Sequence, residues 1–127
     1  MQAAVLVFLG AGIGGVLRHG VNLGFARFCG TAFPWGTLSV NVAGSFAMGL
    51  IAGWLAFKVE PAWAPLLRLF LLTGILGGFT TFSAFSLDAA LLWERGEGLL
   101  ASGYVVGSVV LSLAALGLGL ASVRAFA

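Results

Sequence analysis

The side chains that could do chemistry in this chain are polar groups set within long apolar stretches. Asn41 lies inside one such stretch, and three hydroxyls, those of Tyr104, Ser108 and Ser112, follow at spacings of four in another. Residues four apart share one face of a helix, so these hydroxyls would form a line along it. An amide or hydroxyl in hydrocarbon must find a partner. Two interpretations stay open: hydrogen bonds between helices, or donors that replace part of the water around a small ion.

Two phenylalanines, Phe82 and Phe85, are three residues apart and would lie near one another on a helix. The edge of an aromatic ring carries partial positive charge. Such an edge can contact an anion without a fixed charge that would hold it too tightly for conduction. The alternative is that both rings are apolar bulk, packed between helices or facing lipid.

The segment around these rings, residues 73–86, combines glycines, β-branched threonines and serines. These residues weaken the middle of a helix, so we expect the helix to be broken there. Unpaired backbone groups at membrane depth are tolerated only where protein, water or an ion satisfies them. The alternative is a kink filled by threonine and serine side chains.

Arg18 is the one charge within the first apolar stretch, near its C-terminal end. A charge inside a membrane is functional by default, but an arginine near a helix end can extend its head group to the interface. Two interpretations therefore stay open. Arg18 either reaches the interface or pairs with a structural partner, or it draws anions toward a vestibule.

The composition indicates that the solvent around most of the chain is lipid. Of 127 residues, 61% are hydrophobic and only 8% are charged, with a mean hydropathy of +1.12, whereas a soluble domain carries about a quarter of its residues as charges. So few cations cannot form a surface that follows nucleic-acid phosphates. A single cysteine, Cys29, and a single histidine exclude an intrachain disulfide and a zinc-type ligand cluster.

Four apolar segments reach the length of roughly 20 residues that crosses a bilayer: residues 3–24, 37–57, 66–92 and 99–123. The connections between them are too short to fold alone, and tryptophans, which prefer the headgroup level, mark their boundaries at Trp35, Trp54, Trp63 and Trp93. The sequence therefore predicts one all-α transmembrane domain of four helices, the third broken mid-membrane. Its 20 glycines, among them the pairs Gly49/Gly53 and Gly103/Gly107, are interpreted mainly as packing positions.

The cations near the ends of the spans do not select an orientation. With four spans, Lys58, Arg68 and Arg124 fall on one side, and Arg18, Arg27 and Arg95 on the other. The positive-inside rule then favours neither side. We expect the chain to insert both ways and to pair as an antiparallel, dual-topology homodimer; the alternative is a single orientation.

Three motifs together resemble the Fluc (CrcB) family of fluoride channels: Gly14-Gly-Val-Leu-Arg18, Gly36-Thr-Leu-Ser-Val-Asn41-Val-Ala-Gly44-Ser, and Gly74-Ile-Leu-Gly77-Gly78-Phe-Thr-Thr-Phe82-Ser-Ala-Phe85-Ser. The resemblance covers all four spans in order. It implies an antiparallel dimer with two pores in the inner (plasma) membrane, passive fluoride export and fluoride resistance.

The same resemblance assigns roles to individual positions. It implies an ion pathway formed by Asn41, Thr81, Phe82, Ser83, Phe85, Tyr104, Ser108 and Ser112, with Arg18 in the vestibule. It also implies a structural sodium ion at the dimer centre, held by the backbone carbonyls of Gly77 and Thr80. The chain departs from the family pattern at Ala84, Asp88 and His19, where threonine, glutamate and an aromatic residue are frequent.

Two other functions predict different behaviour. A proton-coupled cation exporter of the small-multidrug-resistance type needs a membrane-embedded carboxylate, and Asp88, toward the end of the third span, is the one remotely suited. A non-conducting scaffold would pass no ions. No nucleotide-binding motif of the type Gly-x-x-x-x-Gly-Lys-Ser/Thr is present, so we expect passive conduction without enzymatic activity or an organic cofactor.

Overall fold

The computed structural model describes residues 1–127, which form helices joined by short connections and contain no strand. The first, second and last helices are continuous: α1 (Gln2–Cys29), α2 (Trp35–Phe57) and α6 (Gly98–Ala125). The third span is divided into α3 (Ala64–Leu67), a π-helix (Arg68–Leu76), α4 (Gly77–Phe79) and α5 (Phe82–Glu94).

The prediction of an all-helical chain with four long apolar helices is confirmed. Each of the four is long and apolar enough to cross a membrane. The helices extend past the apolar segments because backbone hydrogen bonding does not stop where lipid does. Helix α1, for example, continues beyond residue 24 to Cys29 and ends where Gly30 adopts a positive φ of 75°, a conformation that glycine takes at no steric cost.

The helices pack as two pairs whose backbones nearly touch. Helix α1 lies against the π-helix and α4, and α2 lies against α6. A Cβ on Gly10 would stand 2.6 Å from the Phe70 carbonyl oxygen, and one on Gly49 would stand 2.9 Å from the Leu120 amide nitrogen. Since lipid gives helices little hydrophobic reason to associate, such close approach through glycine supplies much of the packing.

The packing interpretation holds for one of the two predicted glycine pairs. Gly49 and Gly53 both face α6, where Gly53 meets Val123. Gly103 and Gly107 meet nothing within 4 Å, so within this chain that prediction is wrong. Spacing alone does not show which side of a helix its neighbour occupies, and these two glycines lie on the open side of α6.

Few apolar side chains are buried, and seven of the nine that are form two small clusters. One contains Phe85, Leu92, Ala101 and Tyr104, and the other contains Leu55, Leu72 and Leu76. The first cluster joins α5 to the N-terminal part of α6 and extends along α5 from Phe85 to Leu92. Many large apolar side chains point outward instead, as a lipid-facing surface allows.

The third span changes conformation where α4 gives way to α5. Thr80 has φ −81° and ψ 158°, and Thr81 has φ −154° and ψ 119°, so both are extended. Helix α5 then begins at Phe82, with the Thr81 hydroxyl accepting from the Ala84 amide at 3.2 Å, a side-chain N-cap. Two extended residues thus separate the helical segments.

Candidate functional site at the extended residues of the third span

The backbone of Thr81 is bonded by the side chain of Asn41, which projects from α2. Asn41 Nδ2 donates to the Thr81 carbonyl at 3.0 Å, and Asn41 Oδ1 accepts from the Thr81 amide at 2.8 Å. The amide therefore supplies the donor and acceptor that a continuous helix would have supplied. An asparagine NH₂ carries two hydrogens, so one remains for another acceptor.

The neighbouring Thr80 is bonded by Arg18 of α1. Arg18 Nη1 donates to the Thr80 carbonyl at 3.3 Å, and the Thr80 hydroxyl donates to the Leu76 carbonyl at 2.9 Å. This contact fits the interpretation of Arg18 as half of a structural pairing. Its role in a vestibule stays a prediction.

A cavity of about 350 Å³ opens beside the extended residues, between α2, α5 and α6. Six of the eight residues predicted for an ion pathway line it: Asn41, Thr81, Phe82, Phe85, Ser108 and Ser112. No lysine, arginine, aspartate or glutamate lies among its lining residues. Ser83 and Tyr104 are not in the lining, although the Ser83 hydroxyl lies 3.3 Å from that of Thr81.

The two phenylalanines lie side by side, as their spacing predicted. The ring centroids of Phe82 and Phe85 are 5.4 Å apart. Phe85 is buried in the first cluster, whereas Phe82 is 78% exposed on the single chain. The two rings therefore occupy different surroundings, one fixed by α6 and the other open to a neighbour.

The hydroxyls of α6 differ from one another in their partners. Tyr104 is buried, and its hydroxyl donates to Asp88 Oδ2 at 3.3 Å. Ser108 is also buried but its hydroxyl has no hydrogen-bond partner, which is uncommon for a buried polar atom. Because Ser108 lines the cavity, its free hydroxyl belongs to the same polar wall as Asn41.

Sequence reasoning did not single out Ser45, which lines the same cavity. Ser45 follows Asn41 by four residues, so the spacing that linked the hydroxyls of α6 could have found it. It also did not assign Asp88 a partner, because the contact with Tyr104 joins two helices and leaves no local sequence signal.

The predicted sodium ligands are backbone carbonyls, and the chain has no cluster of histidine, cysteine, aspartate or glutamate suited to a metal. The amide of Thr81, which would bond the Gly77 carbonyl in a continuous helix, donates to Asn41 instead. The Gly77 carbonyl oxygen is therefore left without this helical bond, and such an oxygen suits a hard cation. The Thr80 carbonyl already accepts from the positive Arg18, so a cation there would share it. One chain also supplies only two carbonyl oxygens, fewer than the six or more oxygen ligands that a hard cation such as Ca²⁺ takes.

Fold and site together define a class: a four-helix membrane protein in which an asparagine and an arginine side chain bond two extended residues of the third span, beside a cavity lined by no charged residue. A family model described as "CrcB-like protein, Camphor Resistance (CrcB)" matches residues 5–120. The chain belongs to the CrcB family.

Proteins named as fluoride-specific ion channels resemble this chain along nearly its whole length. "Fluoride-specific ion channel FluC 2" of Nitrobacter hamburgensis is 58% identical over 122 residues, covering 94% of this chain and 95% of that protein. "Fluoride-specific ion channel FluC" of Rhodopseudomonas palustris is 59% identical over 121 residues, covering 95% and 96%. The protein of that name from Methylobacterium nodulans is 56% identical over 128 residues, covering 99% of both.

Proposed function

We propose that this protein is a fluoride-specific ion channel that lets fluoride leave the cell passively. The relatives that bear this name support the proposal. The observation that carries it is the uncharged cavity, where an amide, two phenylalanine rings and three serine hydroxyls meet.

The chemistry of this cavity suits a small, strongly hydrated anion. Fluoride gives up its water only to several well-placed donors. The second hydrogen of the Asn41 amide, the hydroxyls of Ser108 and Ser112, and the edges of Phe82 and Phe85 are such donors. None carries a full charge, so an ion that enters can also leave.

We further propose that two copies pair antiparallel and enclose two pores. The cavity is open on one side of the single chain, and Phe82, at its wall, is 78% exposed. A second copy would cover this side, and the balanced cations of the sequence support insertion in both orientations. The extended residues then lie at membrane depth in the inner membrane, where their bonds to Asn41 and Arg18 replace the missing helical ones.

A sodium ion at the centre of this dimer is also proposed, with the carbonyls of Gly77 and Thr80 from both copies as its ligands. Such an ion would supply a positive charge to carbonyls released from helical bonding. Within this chain, Arg18 competes for the Thr80 oxygen. Sodium binding is therefore expected to depend on Arg18.

A proton-coupled cation exporter is less well supported. Its coupling carboxylate would have to be Asp88, which accepts a hydrogen bond from Tyr104 and does not line the cavity. A carboxylate outside the cavity cannot exchange a proton for a cation inside it.

Flux measurements on proteoliposomes test the proposal. Vesicles loaded with fluoride and the purified protein should lose fluoride rapidly, read by a fluoride electrode, while vesicles loaded with chloride retain it. Proton-coupled uptake of an organic cation would instead identify an exporter, and no flux above that of empty vesicles would identify a scaffold. A C-terminal reporter that is active on only one side of the membrane would exclude dual insertion.

A further inference from the structure

The close ring–ring contacts of the protein join into one continuous chain of aromatic side chains. The centroid distances along it are 4.5 Å from Trp35 to Phe33, 5.5 Å to Tyr104, 5.3 Å to Phe85 and 5.4 Å to Phe82. This aromatic chain begins at Trp35, the first residue of α2, passes through Phe33 in the connection before it, and ends at the cavity. Phe82 and Phe85 line the cavity, whereas Trp35, Phe33 and Tyr104 do not.

Tyr104 is the central ring, and it is enclosed from two sides. Phe33 meets it edge to face, with an interplanar angle of 86°, and Phe85 packs on it at 45°. Tyr104 is only 2% exposed. Since both neighbours touch the same ring, a change in Phe33 alters the space that Tyr104 and Phe85 share.

Phe33 lies outside any helix, and its position is fixed by bonds at either side of it. Arg95 Nη2, from the connection between α5 and α6, donates to the Ala32 carbonyl at 2.7 Å. The Trp35 amide donates to the Phe33 carbonyl at 2.9 Å. The ring is half-buried and packs against the cluster that contains Phe85 and Leu92. The bond from Arg95 to Ala32 thereby joins the two connections next to Phe33.

We infer that Phe33 is a positioning residue of the ion pathway: its ring holds Tyr104 against Phe85 and so fixes Phe85 at the cavity wall. This inference rests on the proposed function. Phe33 does not line the cavity and touches no ion. A ring that only filled space could be exchanged for another apolar side chain without effect on conduction, whereas a ring that positions Tyr104 could not.

Tyr104 is the only tyrosine in the chain, so ring-¹³C-labelled tyrosine gives a single NMR reporter of this contact. In Phe33→Leu, the Tyr104 ring signals should shift, because the edge-to-face neighbour is lost. Fluoride efflux from proteoliposomes should fall by about three- to tenfold, the range that the loss of one aromatic pair implies. Phe33→Tyr, assayed without label, keeps the ring and should restore efflux. Size-exclusion chromatography checks that each variant remains assembled.

Phe28→Leu is the matched control, because Phe28 is 84% exposed and makes no close ring contact; neither the Tyr104 signals nor efflux should change. If Phe33→Leu does not assemble, Arg95→Gln loosens the bond to Ala32 while keeping every ring, and should shift or broaden the Tyr104 signals and reduce efflux. Unchanged signals, or changed signals with normal efflux, in the variant that assembles would overturn the inference. Lack of efflux from the unmodified protein would instead refute the proposed function.

Discussion

Asn41 and Thr81 are joined by two hydrogen bonds, at 3.0 Å and 2.8 Å, that use both polar atoms of the asparagine side chain and both polar groups of the threonine backbone. The pairing resembles that of two strands in a sheet, with a side chain in place of one strand. It allows Thr81 to be extended within an apolar span while both of its own backbone groups are paired. The same amide lines the cavity, so under the proposed function the backbone structure and conduction depend on one side chain.

Asn41→Asp should abolish fluoride efflux and lower the free energy of unfolding by about 1–3 kcal/mol. A carboxylate cannot donate to the Thr81 carbonyl, and its charge would repel an anion in the cavity. Efflux and thermal stability in detergent measure the two effects. Asn22→Asp is the matched control, because the Asn22 side chain makes no hydrogen bond in the structure; efflux should be unchanged in this variant. Normal conduction in Asn41→Asp would place Asn41 outside the pathway.

Substitution of either phenylalanine should reduce conduction, but the two substitutions should differ in their effect on stability. Phe82→Ile should cut fluoride efflux severely and change the stability of the chain little, since Phe82 is 78% exposed and contacts a single ring. Phe85→Ile should cut efflux and also destabilise the chain by about 1 kcal/mol, because Phe85 loses its contacts with two rings. Phe126→Ile, at a position that is 87% exposed, is the control. Wild-type efflux from both pathway variants would remove the rings from the conduction path.

Two adjacent glycines of α1 provide a test of backbone packing. A Cβ on Gly14 would collide with the Ile75 carbonyl and lie 2.7 Å from the Phe79 amide nitrogen, whereas one on Gly15 would meet nothing within 4 Å. Gly14→Ala should therefore destabilise the protein by about 1–3 kcal/mol or more, and Gly15→Ala should leave stability unchanged or slightly raised. Unfolding followed by tryptophan fluorescence reports both. Equal stabilities would mean that α1 does not approach the third span this closely.

Removal of the positive charge at position 18 should strengthen sodium binding. Arg18 lies 3.3 Å from the Thr80 carbonyl oxygen, and a cation that shares this oxygen is repelled by the guanidinium. In Arg18→Gln the sodium concentration that gives half-maximal thermal stabilisation should fall by about tenfold, or ~1.4 kcal/mol. Arg27→Gln, also on α1 but exposed, should behave as the unmodified protein does. The same sodium dependence in both variants would count against Thr80 as a ligand.

The four helices could be predicted because length and apolarity alone determine what crosses a bilayer. Residues 73–86 were expected to be poor helix formers, and Thr80 and Thr81 are the residues that adopt extended conformations. The π-helix at Arg68–Leu76 could not be predicted. No residue type specifies a π-helix, and this one lies against α1, a contact that no local sequence pattern encodes.

The candidate site was predictable as a set of residues and not as a set of contacts. Intramembrane polarity identified Asn41 and Ser108, yet Asn41 bonds a residue 40 positions away and Arg18 one 62 positions away. Phe33 could not be identified from the sequence, because a phenylalanine in a connection belongs to no periodic pattern. Local sequence patterns do not encode such distant partners, so contacts of this kind require the fold.

The pairing of α1 with the third span and of α2 with α6 bears on how the protein is made. A chain that emerges from its N-terminus produces the first two helices before the principal partner of either exists. Each must therefore reside in lipid for a time without its principal partner, with its own backbone bonds as its main support. Because the two pairs alternate along the chain, no single cut can divide the protein into two fragments that each keep a complete pair.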